Sequence, residues 1–204
     1  CSSDLCSAWL TKFAPLPGAA GADPMTPYFD AHNHLQDERF GGRQAVLLEA
    51  ARAAGVVRMV VNGACESDWL EVARLARMDA CVLPSFGLHP WYVCERSDRW
   101  IEALDHGLAT VPGSVVGEIG LDRWMIENPD RWRRYRGEGH AFAGEPPDLE
   151  SQEQVFSAQL ALAARRNVPV SIHCLQAFGR VRDHLARCRP ERGFLLHSYG
   201  GPAE

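Results

Sequence analysis

Tyr28-Phe29-Asp30-Ala31-His32-Asn33-His34 is the stretch from which the fold can be read. It reads as a short strand whose end carries two histidines two residues apart. Strand side chains alternate between faces, so His32 and His34 project to one side. Two imidazoles on one face can chelate a metal ion. Three further potential ligands, Glu118, His173 and His197, each stand at the end of a β-like run. Four strands that deliver metal-binding side chains at the same end point to a barrel with a metal centre at its mouth.

Outward from that motif, strand and helix patterns alternate. Strands are expected at 28–34, 56–63, 81–88, 114–121, 169–174 and 193–198, and helices at 43–54, 67–78, 97–109, 151–166 and 176–187. Each strand is short and rich in Val, Ile, Leu or Phe, as a strand covered on both faces should be. In the fourth helix Val155, Phe156, Leu160, Ala163 and Ala164 form one apolar stripe. Ser67 and Ser151 are the expected N-caps of the second and fourth helices. Regular β/α alternation with short links implies a parallel sheet and right-handed crossovers. A (β/α)8 barrel has eight strands and about 250 residues. The expected fold is therefore an α/β TIM barrel, (β/α)8 in type, truncated after strand six. An open doubly wound sheet is the rival architecture. The ligand pattern favours the barrel, because a closed ring brings strands one, four, five and six around one centre.

The chain has 204 residues and is 46% hydrophobic, enough for one core and too short for two comfortable domains. Its net charge of −5 gives no global field for nucleic acid, so such a partner would need a local patch or a metal. The seven cysteines are odd in number, irregularly spaced and without a Cys-x-x-Cys pair. They read as reduced thiols in a cytoplasmic setting. No run of about 20 apolar residues is present, so no membrane-spanning helix is expected. Oligomeric state has no signal in the sequence.

Residues 1–27 read as an irregular N-terminal extension, with Pro15, Pro17, Gly18, Gly21 and Pro24, and the barrel as 28–204. The extension lacks the basic start and apolar block of a secretory signal. Met25 stands directly before the first strand and reads as the native start.

One stretch breaks the rhythm. Residues 125–150 are expected as a long βα loop insert at the catalytic face. It holds Arg131-Trp132-Arg133-Arg134-Tyr135-Arg136. In one reading Arg131, Arg133 and Arg134 bind phosphates while Trp132 or Tyr135 stacks on unpaired bases. In the other they form a solvated helix whose arginines pair with Glu127, Asp130 or Glu138.

Strand parity sharpens the site. Tyr28, Asp30, His32 and His34 should share one face. Val116, Glu118, Gly120 and Asp122 should share another, opposite Val115, Ile119 and Leu121. Ser171 and His173 oppose Val170 and Ile172, and Leu195 and His197 oppose Leu196. Any one histidine reads equally well as a hydrogen-bonded core residue. A metal centre accounts for all five groups at once. Four imidazoles and a carboxylate can hold one or two divalent ions, and mixed N/O ligation favours zinc, manganese or magnesium over calcium. A bound ion lowers the pKa of a coordinated water and stabilises charge on a phosphoryl or carbonyl oxygen, so hydrolysis is the expected chemistry. Two ions about 3.5–4 Å apart would suit displacement at phosphorus.

These residues also carry a family resemblance. Phe29-Asp30-Ala31-His32-Asn33-His34-Leu35 resembles the opening motif of the TatD family of metal-dependent deoxyribonucleases. Gly87-Leu88-His89-Pro90 and Val116-Gly117-Glu118-Ile119-Gly120-Leu121-Asp122 are similar to its second and third motifs. Gln154, Phe156, Gln159 and Leu160 followed by Pro169-Val170-Ser171-Ile172-His173 resemble the fourth, and His197-Ser198-Tyr199-Gly200-Gly201 the fifth.

The resemblance implies a TIM-barrel hydrolase that cleaves phosphodiesters in DNA, single-stranded DNA included, through a dinuclear centre. His32 and His34 would bind one ion, His173 and His197 the other, and Glu118 would bridge them. His89 would lie near the substrate phosphate, its alternative being a loop histidine bonded to backbone beside Pro90, and Asp122 would lie beside metal or substrate or simply cap the loop. The family also uses an Asp at the end of strand eight, a position not contained in this sequence. Leu175 stands where many relatives carry Arg. A related amidohydrolase acting on C–N or ester bonds is the alternative within enzymes. Its usual carboxylated lysine has no counterpart, since the chain's one lysine, Lys12, precedes the barrel. A non-catalytic barrel that binds metal or nucleic acid is the alternative outside enzymes.

Overall fold

Six strands pair in parallel and in sequence order in a single sheet: β1 (Tyr28–Asn33), β2 (Val56–Asn62), β3 (Val82–Phe86), β4 (Val115–Asp122), β5 (Val170–Leu175) and β6 (Phe194–Leu196). A computed structural model describes residues 27–136 and 144–201. Met25 and the rest of the expected extension before Pro27 lie outside the described residues. Strand order decides between the two architectures. A doubly wound sheet reverses its order at a switch point, and this sheet never does. It also curls: the His32 ring on β1 stacks on His197, just past β6, with centroids 3.9 Å apart. Residues at opposite ends of the strand order thus meet across the interior, as in part of a barrel.

The outer face of the sheet is sealed by α1 (Gln44–Ala53), α2 (Trp69–Met78), α3 (Trp100–Thr110), α6 (Leu149–Arg166) and α7 (Phe178–Arg187). Met59, Val61, Val82 and Phe86 pack with Leu48, Val72, Leu75 and Leu104. Val116, Ile119, Leu121, Val170 and Ile172 pack with Phe156, Leu160, Ala163, Val181 and Leu185. Val60, Leu83 and Val115 form a separate small cluster with Phe29.

That division corrects two parity expectations. Val116 joins Ile119 and Leu121 under the helices, while Val115 faces the other way. The cause is a register irregularity between Val116 and Ile119 in the β4–β5 ladder. An extra residue there reverses the alternation for Val115 and Val116, while Glu118 faces inward, opposite Ile119 and Leu121, as expected. In β1 the ladder is likewise irregular between Asp30 and Asn33. Asp30 turns its carboxylate onto the His32 amide (3.1 Å) and the Asn33 side chain (2.9 Å) instead of sharing the histidines' face.

The helix starts also differ. Asp148, one turn before the expected helix, accepts the Ser151 amide at 2.8 Å and caps α6. α2 starts at Trp69, and Asp68 in its cap position turns onto the Ala64 amide at 2.9 Å, so Ser67 is not the cap.

The expected insert is largely helical where described: α4 (Arg123–Glu127) and α5 (Pro129–Arg136) follow β4 directly. Trp132 is fully buried, which removes it as a platform for bases. The five described cysteines form no disulfide. Among the described residues no helix is long and apolar enough to cross a membrane.

Candidate metal centre

Glu118 sits in the middle of β4, 3% exposed. Two flanking glycines let β4 approach β5 closely. A Cβ on Gly117 would lie 2.7 Å from Ser171 Cβ, and one on Gly120 would lie 1.8 Å from the His173 carbonyl oxygen. No side chain fits either gap, and the close approach sets His173 beside Glu118.

Five imidazoles surround this carboxylate. On Oε2, His34 Nε2 lies at 3.0 Å and His32 Nε2 at 3.4 Å. On Oε1, His197 Nε2 lies at 2.5 Å, His173 Nδ1 at 3.2 Å and His89 Nε2 at 3.5 Å. Grouped by oxygen, the four expected histidines fall into the strand pairs that the resemblance implies. Grouped by mutual distance they do not: His32, Glu118 and His197 form one set of donor atoms within 4.8 Å, and His89, Glu118 and His173 form the other.

Surrounding polar groups aim each ring. His32 Nδ1 lies 3.0 Å from Ser171 Oγ. His34 Nδ1 lies 2.8 Å from the Asn62 carbonyl. Gln36 donates to that same carbonyl at 2.6 Å and to Asp68 at 3.1 Å. His89 opens a 3-10 turn (Pro90–Glu95), and its Nδ1 accepts the Trp91 amide at 3.1 Å. His89 therefore does two things at once: one nitrogen braces the turn and the other faces the centre.

Asp122 is fully buried with both oxygens committed. Oδ1 accepts the Met125 amide at 2.9 Å and so caps α4. Oδ2 accepts the Trp91 indole N–H at 2.7 Å and lies 3.1 Å from His173 Nε2. Asp122 thus caps α4 and stands beside the centre through His173, the two roles its position in the sequence allows.

The charges follow. Burial favours a neutral Glu118, but the ring of imidazoles, His89, His173, His197 and His32 among them, holds its carboxyl well below the usual range. Burial opposes a charged His173. Its contacts with Asp122 and Glu118 outweigh that and raise it to about 9. His34 is likewise raised, its contact with Glu118 overcoming burial. Burial and the neighbouring His173 push His89 down to about 3.

The residues fit a divalent cation. The Nε2 atoms of His32 and His197 are buried and make no hydrogen bond, although Glu118 is near. Orphaned buried nitrogens are rare and costly. Imidazole lone pairs converging with one carboxylate form an N/O donor set suited to zinc or manganese.

The three arginines named from sequence lie elsewhere. Arg131 and Arg134 are exposed on α5. Arg133 pairs with Asp130 at 2.9 Å and Glu145 at 2.7 Å, the solvated-helix alternative with Glu145 as an additional partner. Leu175, at the end of β5, is 38% exposed.

Sequence reading missed the polar groups that position the ligands: Gln36, Asp68, Trp91 and Gln152. Gln159 was noticed only within a motif. Gln152 and Gln159 carried a usable signal, since they stand seven residues apart beside the apolar stripe of one helix, where an amide must find a buried partner.

A curled parallel sheet with helices outside and a carboxylate-centred histidine cluster inside defines a metal-binding barrel of the TIM type. The chain belongs to the TatD related DNase family, whose model matches residues 29–204. It is 28% identical over 176 residues to the uncharacterized metal-dependent hydrolase YjjV of Escherichia coli, covering 85% of this chain and 61% of that protein. It is 31% identical over 180 residues to the 3'-5' ssDNA/RNA exonuclease TatD of Pantoea vagans, covering 85% and 60%. It is 29% identical over 181 residues to the human deoxyribonuclease TATDN3, covering 84% and 60%. The crystal structure of E. coli YjjV superposes with a TM-score of 0.72 at 27% identity, over 86% of this chain and 61% of that one. The chain thus spans about three fifths of the length of these relatives.

Proposed function

We propose that this chain provides the metal-binding part of a hydrolase that cleaves phosphodiester bonds in DNA, single-stranded DNA included. The observation that carries the proposal is Glu118, a buried carboxylate enclosed by His32, His34, His89, His173 and His197. The activities named for the Pantoea and human relatives support nucleic acid as the substrate class.

Two divalent ions, zinc, manganese or magnesium, would polarise a phosphoryl oxygen and lower the pKa of a water when bound here. Glu118 presents one oxygen to each side of the cluster and would hold both ions. His32 and His34 stand at one oxygen, His173 and His197 at the other. Asp122 fixes the His173 ring through Nε2, leaving Nδ1 for the centre. His89, neutral over the physiological range and with Nδ1 accepting the Trp91 amide, carries its proton on Nε2 and can donate it to Glu118 or to a substrate phosphate. Arg131 and Arg134, exposed on the helix that follows β4 and α4, would meet the phosphates of a longer strand. A cytoplasmic setting belongs to the same proposal, on the free thiols.

The test is hydrolysis of a labelled single-stranded oligonucleotide by the protein loaded with zinc or manganese, before and after chelation. Cleavage that chelation abolishes and Glu118→Gln removes is the expected result. Metal bound at the histidines without any cleavage would overturn the catalytic reading.

A further inference from the structure

The helix α6 carries two glutamines that are fully buried, Gln152 and Gln159. Each grips the backbone of another element with both ends of its amide. Gln152 Oε1 accepts the Asp122 amide at 2.8 Å, and its Nε2 donates to the Asp122 carbonyl at 3.2 Å and the Pro147 carbonyl at 2.9 Å. Gln159 Oε1 accepts the Leu88 amide at 2.7 Å, and its Nε2 donates to the Leu88 carbonyl at 3.1 Å. Asp122 ends β4 and holds His173. Leu88 immediately precedes His89.

Helical geometry makes the pair one device. Residues seven apart on an α-helix differ by only about 20° around the axis and by about 10 Å along it. Gln152 and Gln159 therefore point the same way from two levels of one rod. That rod is anchored by Phe156, Leu160 and Ala163, which pack on Val116, Ile119 and Leu121 of β4. Between its two grips it spans the ends of β3 and β4. A peptide group past a strand end has lost its ladder partners, and a side-chain amide matches both its donor and its acceptor.

We propose that Gln152 and Gln159 are positioning residues of the metal centre. From the outer helix layer, Gln152 sets Asp122 against His173, and Gln159 sets His89 against Glu118. This rests on the functional reading above, but its first readout does not depend on turnover. Neither glutamine touches the centre. Gln152 acts through Asp122 and His173, and Gln159 through Leu88 and His89. On the inner side the same loop is held by the His89 amide, which donates to the Ala64 carbonyl at 2.8 Å. His89 is thus fixed from both sides, and loss of the outer grip leaves its loop hinged on the inner one.

The test uses the intact chain and reads imidazole resonances by nitrogen-proton NMR, with and without zinc. Gln152→Met keeps the length of the side chain and loses the grip on Asp122. It should shift the His173 resonances and leave those of His89 in place. Gln159→Met should do the reverse. Leu160→Ala, a packing loss on the same helix, should lower the melting temperature and move neither set selectively. With a phosphodiester substrate, each methionine variant should lower kcat about tenfold while KM changes less than twofold, because misplaced groups lose more in the transition state than in binding.

If a methionine variant fails to fold, Gln152→Glu or Gln159→Glu, which keeps the size and the accepting oxygen, reads the same resonances. Shifts in both histidines from either variant, the same pattern from Leu160→Ala, or no shift at all would overturn the proposal. Selective shifts in a chain that cleaves no phosphodiester would keep the positioning role and reject the functional reading instead.

Discussion

His173 Nε2 lies 3.1 Å from Asp122 Oδ2, while the other nitrogen of the same ring lies 3.2 Å from Glu118 Oε1. The imidazole is held between two buried carboxylates, one in the centre and one behind it. The outer carboxylate fixes the ring orientation and raises its basicity, which is how a group that touches no metal tunes one.

Asp122→Asn should therefore weaken zinc binding by roughly 10–100-fold. It should also lower the His173 titration midpoint in the metal-free chain from about 9. The cap on α4 survives, because Asn also accepts at an N-cap. Zinc titration and histidine NMR check both effects, and an unchanged affinity would mean that the pairing does not tune the ligand.

Glu118→Gln should cost more metal than any single histidine replacement, since all five imidazoles face that one side chain. Elemental analysis after dialysis against zinc compares it with His32→Ala, His34→Ala, His173→Ala and His197→Ala. Full metal retention in Glu118→Gln would place the ions elsewhere.

Proton competition gives a pH dependence. The pKa of His173 in the folded chain is raised above its ordinary value of 6.5 to about 9. Its contribution to the stability of the metal-free fold is thus fully present below about pH 6.5 and is lost as pH rises through about 9. Metal requires the neutral ring. Zinc affinity should then increase between pH 6.5 and 9, with proton release on binding. Calorimetry in buffers of different ionisation enthalpy measures that release, and zero release at pH 7 would contradict it.

Gly120→Ala should destabilise the fold by more than about 1–3 kcal/mol, the usual cost of overpacking. Its methyl group would lie 1.8 Å from the His173 carbonyl oxygen, which is backbone and cannot swing aside. Denaturant unfolding gives the loss directly. Gly113→Ala serves as the comparison: its added Cβ meets nothing within 4 Å, so its cost is confined to its positive φ of 74°.

Replacing Arg131 and Arg134 by Ala should raise KM for a long single strand and flatten its salt dependence, while a small phosphodiester is cleaved as before. Arg133 is left in place because it is tied to Asp130 and Glu145. Equal losses on both substrates across a salt series would point to misfolding instead of strand guidance.

The sequence by itself determined the β/α rhythm, the parallel sheet and the candidate metal-donor residues. Short apolar runs and helical stripes have distinct periods, and imidazole and carboxylate groups at strand ends are chemically conspicuous. Strand order, which separates a curled barrel from an open doubly wound sheet, required the tertiary structure, because pairing joins residues far apart in the chain.

The tertiary structure also decided details that strict alternation misplaces. The irregularity near Gly117 sends Val115 and Val116 to the faces opposite those expected. Trp132, aromatic among arginines, is fully buried. Asp122, Gln152 and Gln159 hold His173 and His89 in place through partners 30 to 71 residues away. Residue type states what a side chain can donate or accept. Which partner it meets depends on how the strands and helices pack, and that is set by many weak contacts acting together across the whole fold.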